Sequence, residues 1–352
     1  METKLNHNYP FRKNLKSIYL YPITKSGSTV TYNPYFDDLI QSFSQYYNII
    51  NANKPTDKGL FDLLKYIGKI DYLYLNWIEE IIDKRLGFLQ LTLLYLLIPY
   101  LKFKNIKIIY TLHNKVSHYK KKIFFKRFVF KLLLRNSSFI LTHAKEGVDF
   151  IEKNNSNAGK RALFFPHPIK VRKKIEANNK PYDILIWGKL TPYKGVHKFL
   201  DFLKSEDLLP KYSIKIVGKI TDPDYADTLF KYSSDRISIT NSFIADDELA
   251  KYISQSKIVL FIYNNNSVLS SGVLTDSISY HANVIGPCTG AFLDMKEYGI
   301  ADTFRDYNDL IKVIDAQLEM DESVIKQRGN KINSFIKSHT WDFFASYINN
   351  KI

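Results

Sequence analysis

Asp183-Ile184-Leu185-Ile186 runs directly into Trp187-Gly188-Lys189-Leu190-Thr191-Pro192-Tyr193-Lys194-Gly195, an apolar strand ending in a turn that carries two lysines. Glycine at 188 lets backbone amides approach an anion, and Lys189 and Lys194 bring point charge to the same turn. Gly195 opens a helix expected over 196–205, whose N-terminal dipole adds to that charge. A phosphate fits such a turn. The same strand, glycine and lysines also serve packing and solvation in many parallel-sheet proteins, so a second feature has to decide between the two readings.

That feature lies about 80 residues further on, in Ser267-Val268-Leu269-Ser270-Ser271-Gly272-Val273-Leu274-Thr275-Asp276, just after a strand ending near Phe261. Ser270, Ser271 and Gly272 place hydroxyls and backbone amides at a helix N-terminus, which suits a diphosphate. Asp276 follows one helical turn later, where a carboxylate accepts hydrogen bonds from a ribose diol. A serine N-cap followed by a solvated aspartate is the plainer reading of this segment taken alone.

Working outward, short β-rich runs alternate with longer helical stretches along the whole chain, the pattern of parallel α/β layers. Strands are expected at 17–21, 47–50, 72–75, 106–111, 139–142 and 163–165, and in a second series at 184–187, 214–217, 237–239, 258–261 and 284–285. The charged, Asn-rich segment 170–181 separates the series as a linker. The fold class is therefore α/β, with two Rossmann-like domains in series: 1–175, and a second that begins at 176. In such sheets ligands bind at the carboxyl ends of the strands, so the cleft between the domains is the expected site.

The chain has 352 residues, 45% of them hydrophobic, enough for a core in each domain. Its single cysteine, Cys288, excludes a disulfide framework and a cysteine-built metal cluster, and fits a reducing cytoplasm. No metal site is read. The first ten residues are polar, without the apolar core of a secretory signal. The apolar stretch 86–101 is short for a membrane span and contains Gln90 and Pro99, so a buried or interfacial helix is expected there.

The net charge of +15 is uneven, with +18 in residues 1–175 and −3 in 176–352. It is densest over 102–135, where Lys115, Lys120, Lys121, Lys122, Lys126, Arg127, Lys131 and Arg135 interleave with Ile123, Phe124, Phe125, Phe128, Val129 and Phe130. A basic amphipathic helix of this kind suits an anionic membrane surface. A helix packed by its aromatic stripe with a solvated lysine face is the other reading. No nucleic-acid-binding motif accompanies the charge, so nucleic acid is not expected as a partner.

Together the two anion-binding segments resemble the nucleotide-sugar domain of GT-B glycosyltransferases, in particular the family-four type and its bacterial capsule and exopolysaccharide relatives. Gly188-Lys189-Leu190 through Lys194-Gly195 looks like that family's G-R-L-x-x-x-K-G turn, with Lys189 in place of the arginine. Ile214-Lys215-Ile216-Val217-Gly218 resembles the next strand and its glycine. Asp246-Asp247-Glu248-Leu249 resembles the start of the helix before the strand at Ile258. Ser271 to Gly286 matches the stretch of glycine-rich turn, acidic residue and P-V-I strand, and Asp276 falls at the second, ribose-binding glutamate. The family's first glutamate corresponds to Val268, so whether the sugar's configuration is retained or inverted stays open.

In the N-terminal half, Asp71-Tyr72-Leu73-Tyr74-Leu75-Asn76-Trp77 and Ile108-Ile109-Tyr110-Thr111-Leu112-His113-Asn114-Lys115-Val116-Ser117-His118 resemble a subgroup's paired acceptor-side signatures, one ending in H-W-P and the other in T-x-H-N-x-x-P-H. Asn76, Ile78 and Ser117 depart from them. His113, at a strand's carboxyl end, is the candidate to hydrogen-bond a sugar hydroxyl or take its proton, with a structural role as the alternative. His143 and His167 also end strands and rank below it. Glu79 and Glu80 are general-base candidates that also suit a solvated helix start. The loop 23–30 corresponds to a segment meeting acceptor and donor phosphate, or is a mobile surface loop. Asn33 caps the next helix, with Pro34 in its first turn. Thr340-Trp341-Asp342-Phe343-Phe344 resembles the family's last helix, so the second domain is taken as 176–335 and a helix over 336–352 is expected to cross back to the first.

The resemblance implies transfer of a hexose from a UDP- or GDP-sugar to a glycan acceptor, carried on a polyprenyl diphosphate lipid, by a peripheral protein on the inner face of the cell membrane in surface polysaccharide synthesis. Gly188, Lys189, Lys194, Gly218, Ser270, Ser271, Gly272 and Asp276 would hold the donor, and His113, Lys194 and Glu79 would act in catalysis. Lysines and helix dipoles would replace a divalent metal, and no cofactor is implied. The rival readings are a non-catalytic membrane-associated scaffold, prompted by Val268, and a GT-B nucleotide-sugar epimerase or phosphorylase.

Overall fold

Apolar triplets such as Ile18-Tyr19-Leu20 and Ile184-Leu185-Ile186 are buried on both sides, as strands covered by helices on each face must be. The computed structural model describes residues 11–23, 34–115, 122–263 and 269–352. The sequence features at 24–33, 116–121 and 264–268, which include Asn33, Ser117, His118, Lys120, Lys121, Ser267, Val268 and most of the loop 23–30, lie outside the described residues. The chain divides into two units, residues 1–165 with 341–352, and residues 166–340. The division precedes the segment 170–181 that the sequence offered as a linker.

The first unit runs β1 (Lys16–Tyr21), α1 (Tyr35–Phe43), β2 (Tyr47–Ile49), β3 (Tyr72–Asn76), α2 (Gly87–Phe103), β4 (Lys107–Leu112), α3 (Ile123–Asn136), β5 (Phe139–Thr142), α4 (Lys145–Asn154), α5 (Ser156–Gly159) and β6 (Ala162–Phe164). Its six strands are all parallel, in the order β2-β1-β3-β4-β5-β6. One face of the sheet is sealed by α1 and by the last helix of the chain, Trp341–Lys351, whose Phe344, Ala345 and Ile348 pack among Ile18, Phe43, Tyr74 and Ile109.

The second unit runs β7 (Tyr182–Trp187), α6 (Val196–Ser205), β8 (Ile214–Val217), α7 (Pro223–Phe230), β9 (Ile237–Thr240), α8 (Asp246–Ser254), β10 (Ser256–Leu260), α9 (Gly272–Ser279), β11 (Val284–Pro287), α10 (Gly290–Glu297), β12 (Ala301–Phe304), α11 (Tyr307–Leu318) and α12 (Glu322–Ser338), with α13 (Trp341–Lys351) returning to the first unit. Strand alternation divides its core. Ile184 and Ile186 of β7 pack with α6, α7 and α11, while Leu185 packs on the other face with α8, α9, α10 and α12. Burial of each such side chain stabilises the unit by roughly 1.5–3 kcal/mol before entropy is counted.

The sheet order β12-β11-β10-β7-β8-β9 is all parallel and, counted from β7, is the doubly wound order 3-2-1-4-5-6 of dinucleotide folds. The strand direction of winding reverses between β7 and β10. β12 is a sixth strand beyond the five read from sequence. Its four residues include Asp302, a polar interruption that hides a strand from pattern reading and that here accepts a hydrogen bond from Gln317 and pairs with Arg328.

Candidate functional site

In a doubly wound sheet the crevice opens at the carboxyl ends of the two strands flanking the reversal. Here those strands are β7 and β10, and the turn 188–195 leaves the first while the segment leading to Ser270-Ser271-Gly272 leaves the second. The two segments picked out of the sequence are therefore the two lips of one switch point.

Gly188 has φ +102°, and a Cβ there would lie 3.1 Å from Lys194 Nζ and 3.4 Å from the Val273 side chain. The Lys194 ammonium thus sits directly over the turn, next to the first turn of α9. Gly218, at the end of β8, supports this from behind. Its φ is +155°, and a Cβ would fall 1.8 Å from the Gly188 carbonyl oxygen. Gly218 therefore shapes the Gly188 turn, and its contribution to ligand binding runs through that support. A single helical turn, Pro192–Lys194, and Gly195 then lead into α6.

Burial is the main influence on Lys194, lowering its pKa from 10.5 to about 8, and the exposed ammonium of Lys189 lowers it further. Among the described residues no carboxylate pairs with Lys194. A close aromatic neighbour is Tyr263, whose ring centroid is 5.4 Å from Nζ and whose hydroxyl shares a 3.2 Å hydrogen bond with Ser271 Oγ. Ser271 caps α9 by accepting from the Leu274 amide. The amides of Gly272 and Val273 belong to a first helical turn, where no intrahelical acceptor exists. Beside them the Ser270 hydroxyl is buried with no hydrogen-bond partner among the described residues, and nothing lies within 4 Å of the place a Cβ on Gly272 would occupy. An under-neutralised cation, a buried hydroxyl without a partner among the described residues and the first amides of a helix lie together here, an arrangement whose chemistry suits an anion.

Asp276 sits on α9, but its carboxylate already has a partner. Arg172 Nη2 lies 3.4 Å from Asp276 Oδ1, and Arg172 Nη1 donates to Asp246 Oδ2 at 2.6 Å and to the Tyr280 hydroxyl at 2.5 Å. The guanidinium also covers the Tyr280 ring at 4.6 Å. Burial raises the Asp276 pKa while Arg172 pulls it down. A ribose contact through Asp276 would share the carboxylate with Arg172. His167 lies near the same helix, its Nδ1 3.4 Å from Thr275 Oγ1, and burial pushes its pKa down to about 4, so it is neutral at pH 7.

In the first unit Asn76 ends β3, and His113 directly follows β4, the neighbouring strand. His113 is buried, stacks on Trp77 at 3.9 Å and 9°, and shares a 3.0 Å hydrogen bond between its Nε2 and Asn76 Oδ1. Trp77 reaches that position through a left-handed backbone, φ +47°. Tyr35 of α1 meets His113 edge-on at 5.4 Å and shares a 3.4 Å hydrogen bond with His143 Nε2. The neighbouring Asn76 Nδ2 is buried without an acceptor among the described residues.

Glu79 lies elsewhere. It accepts from the Tyr110 hydroxyl at 3.4 Å and lines, with Lys115, Lys126 and Arg127, a cavity of about 60 Å³ on the α3 side of the sheet. His113 belongs to the α1 and α13 side, so the structure does not join them as an acid–base pair. Burial raises the Glu79 pKa from 4.5 to about 7. Between those values the folded state holds a proton that the unfolded chain releases, so this stabilising contribution is complete below pH 4.5 and lost as pH rises through 7. Glu79→Gln is accordingly expected to gain on the order of 2 kcal/mol relative to wild type between pH 5 and pH 8. Thermal melts of both proteins at the two pH values check this, and a pH-independent difference would refute the buried carboxyl.

The structure thus gathers Gly188, Lys194, Ser270, Ser271 and Gly272 at one place, with Lys189 exposed at the rim, Gly218 behind and Asp276 tied to Arg172. Sequence reading missed Tyr263 and Arg172. Tyr263 had a faint signal, as the first polar-tipped residue after the apolar run 258–262, whereas Arg172 lies over 100 positions from Asp276 and carries no spacing cue.

No family model matches the chain, and no curated protein matches it by sequence. Solved structures do. HepE from Anabaena, determined with UDP and glucose, superposes with a TM-score of 0.69 at 12% identity over 96% of this chain and 100% of its own. A glycosyltransferase from Rickettsia africae gives 0.66 at 12% identity, over 96% and 97%. Sucrose-phosphate synthase from Thermosynechococcus elongatus gives 0.64 at 14% identity, over 95% and 87%. At such identities the likeness establishes the fold: two Rossmann-type units in series, the GT-B fold.

Proposed function

We propose that the protein is a glycosyltransferase that moves a sugar from a UDP- or GDP-sugar to a glycan acceptor, carried on a polyprenyl diphosphate lipid at the cytoplasmic face of the membrane. The observation that carries this reading is the convergence of Lys194, the Gly188 turn and the Ser270-Ser271-Gly272 helix start at the switch point of the second sheet. Support for the donor class comes from HepE, which has been solved with UDP and with UDP-glucose.

In the transfer, the bond from the anomeric carbon to the diphosphate oxygen breaks and a bond to the acceptor oxygen forms. Negative charge grows on the departing diphosphate, where Lys194, Lys189 and the first amides of α9 offset it, the task that elsewhere falls to a divalent metal. The acceptor hydroxyl loses a proton in the same reaction. Glu79, with its pKa near 7, and His113, with its ring fixed between Trp77 and Asn76, are alternative holders of that proton. Asp276 would accept from the ribose while Arg172 keeps it oriented.

A panel of UDP- and GDP-sugars tested for thermal stabilisation decides the class. One base is expected to raise the melting temperature by about 3–8 °C at saturation. No shift with any nucleotide would favour a non-catalytic scaffold.

A further inference from the structure

From residue 84 to residue 145 the chain contains fourteen lysines and arginines and not one aspartate or glutamate. Two helices of the first unit come from this stretch, and their surfaces bear on the alternatives that the sequence leaves open. On α2 the solvent-facing residues are Phe88, Leu89, Thr92, Tyr95, Leu96, Pro99, Tyr100, Lys102 and Phe103, one helical face whose single charge, Lys102, lies at its edge in the last turn; Leu96 is 64% exposed and Phe103 83%. The opposite face, including Leu91, Leu94, Ile98 and Leu101, is in the core. On α3 the reading of a helix packed by its aromatic stripe with a solvated lysine face holds only in part. Lys126 is buried in an ion pair with Asp83, while Phe124 is 73% exposed and Phe128 stands beside it.

The two helices share one surface. Phe88 packs edge-on against Phe125 at 5.1 Å, and Tyr95 lies 6.4 Å from Phe128. Cations border it: Lys84 and Arg85 precede α2, Lys122 sits over the Phe88 ring at 5.4 Å, and Arg127, Lys131 and Arg135 continue the Phe124–Phe128 stripe along α3. An apolar face of this extent on a water-facing helix marks an interaction site.

We propose that the α2–α3 face is a docking surface for an anionic lipid bilayer, with α2 lying in the interface and Phe88, Leu89, Leu96, Phe103 and Phe124 entering the acyl boundary. Charge decides the occupant. A second copy would set two acid-free cationic faces against each other, which repels, whereas anionic headgroups meet the cationic border while the chains below receive the rings. α2 has 17 residues, a rod of about 25 Å that lies flat at the headgroup boundary. No helix among the described residues is long and apolar enough to cross a membrane, so this face binds the surface. The inference needs no transfer chemistry. It gives the basic half a defined contact and places the first unit where a lipid-borne acceptor would be presented.

The full chain is floated with vesicles of phosphatidylcholine alone, or with about 30 mol% phosphatidylglycerol, without nucleotide. Binding is expected only to the anionic vesicles. Leu89→Ser/Leu96→Ser/Phe103→Ser/Phe124→Ser, which changes exposed positions and leaves the core intact, is expected to weaken binding at least about tenfold. Lys131→Gln/Arg135→Gln should weaken it by roughly fivefold per residue at low salt. A Tyr95→Trp probe should show blue-shifted emission and quenching by brominated lipid only when anionic vesicles are present. Equal binding of the apolar variant, or no binding by the wild type, would overturn the proposal. So would a wild-type dimer that the apolar variant dissolves, which identifies a second copy as the occupant, or displacement from vesicles by oligonucleotides. Nucleotide-sugar hydrolysis in solution should be unchanged in both variants, so failure here and failure of the transferase reading give different results.

Discussion

Lys194→Met is expected to lower sugar transfer by about 10²–10³-fold, the usual effect of removing one donor from a site of developing negative charge, while leaving the melting temperature at pH 7 unchanged or higher. The second half follows from the burial of the ammonium. Burial holds the Lys194 pKa near 8, below its ordinary 10.5, so the charged form costs the ligand-free fold below pH 8 and stability rises as pH climbs from 8 towards 10.5. Methionine fills a similar volume without that charge. The same shift fixes a pH signature. A bound diphosphate favours the ammonium, so nucleotide binding takes up a proton near pH 8 and weakens as pH rises beyond it. Calorimetry in buffers of different ionisation enthalpy reads the uptake directly, and it should vanish in Lys194→Met. If Glu79 is the base, kcat/KM should rise through pH 7 and fall through pH 8, since the two groups titrate near those values in the free protein. Full turnover by the methionine variant would sink the phosphate assignment.

Gly218→Ala is the substitution expected to damage the fold most from this site. Its φ of +155° is strained for any L side chain, and the new Cβ would meet the Gly188 carbonyl oxygen at 1.8 Å, a backbone atom that cannot swing aside. Strain and overpacking together amount to about 2–5 kcal/mol, a fall in melting temperature of roughly 5–15 °C. Gly272→Ala is the matched control. With nothing within 4 Å of the added methyl, its melting temperature should stay within about 1–2 °C of wild type, yet nucleotide affinity should drop because the methyl enters the space over the α9 amides. Differential scanning calorimetry with and without nucleotide separates the two effects. Equal melting temperatures for Gly218→Ala and wild type would contradict the geometry of the Gly188 turn.

What could be read from sequence was what short-range chemistry specifies. Gly188, Lys189, Lys194, Ser271 and Gly272 stand out because a strand, a turn and a helix start each leave a local trace; the helix over 196–205 follows from the glycine that opens it, and the helix beginning at Asp246 from the family resemblance. Strand order left no such trace. That the turn after β7 and the turn after β10 flank one switch point depends on parallel pairings between distant segments, and only the assembled sheet shows it. The same limit hid Arg172, which meets Asp276 from 104 positions away, and Tyr263, whose value lies in touching both Lys194 and Ser271. The same limit left α2 open between a buried and an interfacial helix. On a helix apolar on all sides, which side stays in water is settled by what packs against the other. Glu79 and His113 are both catalytic candidates in the sequence and follow strands that prove adjacent, but side-chain alternation sends Tyr110 and Glu79 to one face and Thr111 to the other, where His113 joins Tyr35.

The central claim is that Lys194 and the start of α9 hold a nucleoside diphosphate as it leaves a sugar. The most direct test is release of UDP or GDP from its nucleotide sugar by the purified protein, measured side by side for wild type and Lys194→Met at pH 7. Release by the wild type from sugars of one base, reduced about a hundredfold or more in the variant, is the predicted result. Release from no nucleotide sugar, or equal release by the two proteins, would contradict it.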